Sequence, residues 1–298
     1  MATTMEVLAG TERGLVDAGS GRTVAFEGHD VSAVAGRWVV VDGERLAAVE
    51  DPAGLEMNGR ALGVRITCLD ARPGAEPLVG TAEAHLYRLG DEPRRVVAFD
   101  EAEGRDRWYT PWGGPPDVRS LCTAPSGAIL VNVHVGGILR SDDDGGEWRA
   151  TIDLHHDVHQ VLALDGRAAV AACAHGFAVS EDDGSTWAVD EGGLHATYSR
   201  AVALAGEMVL LSVSSGPQGR QAAVYRRPLG ADGDFERCRA GLPEWFEGNV
   251  DTFCLVGAPD GGAALATRSG EVYVSGDEGA TWEQAASGLP SMRCLALA

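Results

Sequence analysis

The 298-residue sequence predicts an all-β fold, a seven-bladed β-propeller, and three observations carry that expectation. The first is an internal repeat. Ser180-Glu181-Asp182-Asp183-Gly184-Ser185-Thr186-Trp187 has the pattern S-x-D-x-G-x-T-W, Ser275 to Trp282 repeats it in full, and Ser141 to Trp148 departs only at Glu147. The octets lie one and about two periods of ~40 residues apart, the spacing of propeller or solenoid repeats. The second is glycine, 40 of 298 residues, close to twice the usual ~7% and suited to many short strands and tight turns. The third is that the apolar runs are of strand length, far short of the ~20 residues of a membrane span.

Each octet reads as a hairpin turn. Asp143, Asp182 and Asp277 can accept hydrogen bonds from turn N–H groups, the following glycine takes positive φ, and the tryptophan packs between neighbouring sheets. Around these anchors every repeat reads as four strands with the octet between the third and fourth. Residues 30–63, 64–116, 117–156, 157–197, 198–248 and 249–292 make blades 2 to 7 of one propeller domain. Residues 293–298 supply the first strand of blade 1 and 6–29 the rest, so strand exchange between the termini closes the ring. Seven blades give about 43 residues each.

The octets resemble the Asp-box, or BNR, repeats of sialidase-like propellers, photosystem II assembly factors and sortilin-type receptors. Trp108-Tyr109-Thr110-Pro111-Trp112, Asp117-Val118-Arg119, Gly137 to Ser141 and Leu154 to His159 also resemble bacterial BNR proteins described as glycosyl hydrolase-like, with no assigned reaction. The resemblance covers most of the chain and is weakest over the first 63 residues. It implies the fold; the motif is structural in all these families, so it implies no single activity.

Composition excludes some function classes. The formal net charge is −20, and with no lysine in the chain every side-chain cation is an arginine, which disfavours nucleic-acid binding through a basic surface. Met1 to Glu6 lacks the basic and apolar regions of a signal peptide, and no membrane partner is expected. The six cysteines lack CxxC spacing and sit largely in apolar runs, which reads as free buried thiols in a reducing cytoplasm.

The chemistry is expected on the face carrying the loops after the second and fourth strands, opposite the octets. All eight histidines map there: His85, His134 and His175 after second strands, His29, His155, His156 and His195 after fourth strands, and His159 at the start of a first strand. Aligning the first strands adds Arg65, Arg119 and Arg200, suited to a carboxylate or another small anion. The alternative is an arginine–carboxylate network with Glu12, Glu44 and Asp251. Arg268 and Glu83 join from neighbouring turns. Trp108, Tyr109, Trp112 and Trp245 would offer a surface for a sugar or another flat ligand, or would cover the central tunnel.

The leading expectation is a small-molecule enzyme, a hydrolase or lyase, acting on an anionic or sugar-like substrate. His159, His195, Tyr198 and Glu83 are the candidate catalytic groups, and Arg65, Arg119, Arg200, Arg268 and the four aromatics the candidate binding groups. A sialidase mechanism would need an arginine triad, which Arg65, Arg119 and Arg200 could form, and a tyrosine nucleophile, for which Tyr198 lies on the right face. Only the structural octet matches that family residue by residue. His134, His155, His156 and His175 are candidate ligands of one divalent metal (Zn, Cu, Fe or Ni). The competing class is a non-catalytic ligand-binding or protein-assembly propeller.

Overall fold

A computed structural model describes residues 5–50 and 60–297, with backbone alone at 60 and 61. The chain is a seven-bladed β-propeller: seven four-stranded antiparallel sheets, six of them built from four strands consecutive in sequence. In blade 4 the strands are Val118–Thr123, Ile129–Val133, Gly137–Ser141 and Arg149–Ala150, and in blade 5 Val158–Ala163, Ala169–Cys173, Gly176–Ser180 and Ala188–Asp190. The seventh sheet takes its first strand from the other end of the chain. Met292–Leu297 pairs antiparallel with Val7–Thr11, which pairs with Gly14–Asp17 and then Arg22–Ala25. Among the described residues α-helix is confined to Val97–Asp100, with short 3-10 turns elsewhere.

Two compact units divide the chain, 1–34 with 191–298, and 35–190. In the first, Leu210, Val224, Leu255, Leu265 and Val272 form a core with Ala201, Ala263 and Leu295. In the second, Leu130, Ile138, Val158, Val161, Ala171 and Ala178 pack together. Alanines such as Ala171, Ala178, Ala201 and Ala263 sit among the larger apolar residues, which lets neighbouring sheets approach closely. A Cβ on Gly80, in the second strand of blade 3, would come within 2.6 Å of both Val118 Cβ in blade 4 and Cys68 Sγ.

The octets make one hydrogen-bonded turn three times over. Ser141, Ser180 and Ser275 Oγ donate to Oδ1 of Asp143, Asp182 and Asp277 at 2.8–2.9 Å. The N–H of Gly145, Gly184 and Gly279 donates to the same hydroxyls at 2.8–3.0 Å. Each glycine has positive φ, between 76° and 96°, and each tryptophan Nε1–H donates to that glycine's carbonyl at 3.0–3.1 Å.

The six cysteines are unpaired, five of them buried and Cys122 half-buried. Burial pushes the thiols of Cys68, Cys173 and Cys294 up to about 12 and that of Cys238 to about 11, so these thiols are poor nucleophiles. No helix among the described residues is long and apolar enough to cross a membrane.

Candidate functional site

The first strands of blades 1, 3, 4, 5 and 6 begin with a register shift. Thr67, Arg119 and His159 are each skipped in the pairing of their strand with the next. In the other unit Arg200 and Ala201 are skipped in blade 6, and Arg293 is skipped where the last strand meets the first. An extra residue of this kind bends the strand and re-aims its side chain. The bulge thus places an arginine or histidine at the same point in blades 1, 4, 5 and 6.

Most of these cations meet a carboxylate that precedes the first strand of the next blade. In the unit 35–190, Arg65 pairs with Asp117, and Arg119 Nη1 lies 3.9 Å from Asp157 Oδ1. Asp157 also lies 3.7 Å from Nε2 of His159, a side chain only 1% exposed. In the other unit Arg200 pairs with Asp251, which Arg268 also reaches at 3.2 Å, and Arg293 pairs with Asp30 at 2.9 Å. The carboxylates are aspartates just ahead of first strands, where the sequence pointed also to Glu12 and Glu44. Arg200 Nη2 donates to the Tyr198 hydroxyl at 3.4 Å. Burial works against the Arg200 charge, but Asp251 and Tyr198 outweigh it and raise the pKa.

Asp157 closes the 3-10 turn Leu154–His156 in left-handed backbone (φ 46°), and its carbonyl accepts from the Ala174 N–H at 3.0 Å. Beside it runs a buried polar chain absent from the sequence reading. Asn132 Nδ2 donates to the Val158 carbonyl at 2.7 Å, and the Ser120 hydroxyl accepts from the Val161 N–H at 2.9 Å while donating to Asn132. A cavity of about 340 Å³ lies against the same turn, lined by Leu154, Asp153, Trp108 and Arg107.

The aromatic loop after blade 3 separates its three rings. Trp108 is 8% exposed and packs on Phe99 at 5.5 Å, with the Arg105 guanidinium 5.0 Å over its ring. Tyr109 is exposed and exchanges backbone hydrogen bonds with Val135. Trp112, 73% exposed, sets its plane at 90° to buried His134 with centroids 4.6 Å apart. Glu83 is exposed, in a turn where it and Ala84 both have positive φ. Arg105 donates to both carbonyls of that turn, at 2.9 Å and 2.7 Å.

The expected metal shell is not assembled: among the described residues no three His, Cys, Asp or Glu side chains are grouped to hold an ion. Other partners take several of the imidazoles. His134 meets Trp112, His159 meets Asp157, and His85 Nδ1 is 2.6 Å from Asp100 Oδ1. His155 and His175 are exposed and His156 is half-buried.

His195 lies in the other unit, with Nδ1 2.8 Å from the Tyr225 hydroxyl. Its ring is stacked on Tyr225 at 5.7 Å and tilted against Trp245 at 5.0 Å. Burial lowers the His195 pKa, with a hydrogen bond to the Gln221 carbonyl pulling the other way. Tyr225 and Arg237, whose guanidinium sits 3.7 Å over Trp245, were missed in the sequence because neither lies in a repeat motif or a loop.

The propeller is shared with solved structures. YCF48 bound to a D1 peptide matches at 14% identity and a TM-score of 0.55, over 95% of this chain and 86% of that one. The GH74 xyloglucanase of Xanthomonas campestris matches at 15% identity and a TM-score of 0.59, over 94% of this chain and 46% of that one. The GH74 enzyme of Niastella koreensis matches at 12% identity and a TM-score of 0.59, over 95% and 47%. The chain thus spans about half the length of the GH74 enzymes. No protein-family model and no curated protein matches it in sequence. At these identities the likeness is one of fold, the seven-bladed β-propeller.

Proposed function

We propose that the protein is a hydrolase for a small anionic or sugar-like molecule, acting at the loops of blades 3 to 5. The observation that carries this reading is the Arg119–Asp157–His159 group, a carboxylate on a left-handed turn between a bulge-borne guanidinium and a bulge-borne imidazole. In the reaction Asp157 takes a proton from the attacking water and returns it to the departing oxygen as the scissile C–O bond breaks, His159 steadies the carboxylate from behind, and Arg119 grips an anionic group on the substrate. Exposed Trp112, set edge to face against His134 of blade 4, offers a flat surface in the same unit. The GH74 matches support hydrolysis at the level of fold only.

The test is turnover on a panel of nitrophenyl glycosides, uronides and carboxylic esters. Asp157→Asn is expected to lower kcat at least 100-fold with the fold intact, and Arg119→Ala to raise KM more than it lowers kcat. No turnover by the wild-type protein on any panel member overturns the reading.

A second reading, a non-catalytic binding propeller, is favoured by a different observation. Arg65, Arg119 and Arg200 all spend charge on aspartates, and the YCF48 match nearly spans both chains. It predicts peptide binding without turnover.

A further inference from the structure

We infer a separate binding site for a small organic carboxylate with a flat ring, built on blade 6 by Arg237, Trp245, His195 and Tyr225. It lies wholly within the unit 1–34 with 191–298 and does not depend on the role given to Asp157. The third and fourth strands of the blade, Ala223–Pro228 and Glu236–Arg237, place Tyr225 directly opposite Arg237. Trp245 follows in the loop after the fourth strand, and His195 comes from the loop that enters the blade. Four chain segments therefore converge on one spot.

Their chemistry is complementary to one kind of ligand. Tyr225 is buried, and burial holds its phenol above the usual range, so the O–H stays protonated, 2.8 Å from His195 Nδ1. With the Gln221 carbonyl as its other partner, the imidazole is a fixed wall rather than a base. Half-buried Trp245 and exposed His195 present apolar ring surface. Against them lies a cation whose charge is not spent: Arg237 has no carboxylate within ion-pair distance among the described residues, and its buried Nε has no hydrogen-bond acceptor. Arg65, Arg119, Arg200 and Arg293, by contrast, each have an aspartate. Arg239 adds to the positive field acting on Tyr225. A stacked guanidinium with free donors takes a carboxylate, and the indole and imidazole take a planar ring. A half-buried guanidinium without a carboxylate of its own is one that a ligand's carboxylate would complete through its Nη groups.

The probes are benzoate and glucuronate, with benzamide and methyl glucoside as neutral counterparts. The readout is the indole N–H resonance of Trp245 in a ¹H–¹⁵N spectrum, assigned by its disappearance in Trp245→Phe. The expected result is a saturable shift of that resonance with at least one anion and none with the neutral pair. In Arg237→Gln the affinity is expected to fall at least tenfold, and in Arg237→Lys, which keeps the charge but not the fork, to fall as well. No shift of the Trp245 resonance with either anion overturns the proposal. So does an unchanged affinity in whichever of the two Arg237 variants retains the wild-type spectrum elsewhere.

Discussion

Asp182 shows how much one side chain does in the octet. Its Oδ1 accepts from the Ser180 hydroxyl and the Thr186 N–H, and its Oδ2 from the Thr186 hydroxyl, all at 2.8 Å. Slight burial pushes its pKa up, but these bonds outweigh it and hold the carboxyl at about 2. A depressed carboxyl stabilises the fold above its ordinary value of 3.8, and that contribution fades as pH falls towards about 2. Asp182→Ala is expected to cost about 2–3 kcal/mol at neutral pH, from several lost hydrogen bonds. Denaturant melts at pH 7 and pH 2.5 check it: the wild-type advantage over the variant should shrink at the lower pH. The octet at Ser141 lacks one of these bonds, because Glu147 offers only its N–H to Asp143 where Thr186 and Thr281 add a hydroxyl. Glu147→Thr is expected to raise the Tm slightly, measured by calorimetry.

At the scale of the element, the bulge at the head of the first strand carries the ion pairs. Side chains of the preceding blade also reach carbonyls at or just ahead of the first strand: Asn132 donates to the Val158 carbonyl and Ser212 to the Val250 carbonyl. Polar links of this kind hold neighbouring sheets in register where apolar packing alone would let them slide. Asp251 is the partner of both Arg200 and Arg268, and Arg200 is only 23% exposed. Asp251→Ala leaves the partly buried Arg200 guanidinium without its carboxylate and is expected to cost about 2 kcal/mol, less than for a fully buried pair. Urea melts should show that loss, and Arg200→Met in the same chain should recover part of it.

For the whole molecule, the decisive contact is between the two ends of the chain. Met292, Cys294 and Leu295 are at most 5% exposed in the strand that pairs with Val7–Thr11. Gly10 lies so close to that strand that an added Cβ would sit 2.5 Å from Cys294 Sγ. Ending the chain at Pro290 removes the strand and leaves Val7–Thr11 as an open edge. The loss is expected to exceed about 5 kcal/mol, from three buried side chains and one row of strand hydrogen bonds. Thermal unfolding and size-exclusion chromatography check it, the expected outcome being a lower Tm and association through the new edge.

The sequence by itself determined the blade count and the octet turns. These depend on local rules: turn chemistry at Asp182 and Gly184, a period of ~40 residues, and apolar runs of strand length. Counting along the first strands also reached Arg119, His159 and Arg200, the bulge residues of blades 4 to 6, but gave Arg65 where the bulge of blade 3 is Thr67. Tertiary structure decided what those residues touch. Arg119 and His159 meet at Asp157, Trp108 turns inward onto Phe99, and the imidazoles of blades 4 and 5 do not converge on an ion. Arg237 and Tyr225 became visible only as a cross-strand pair beneath Trp245 and His195. The physical reason is one of range: a repeat fixes which end of a strand a side chain occupies, whereas its partner comes from another segment and is chosen by distances of a few ångströms that only the packed sheets define.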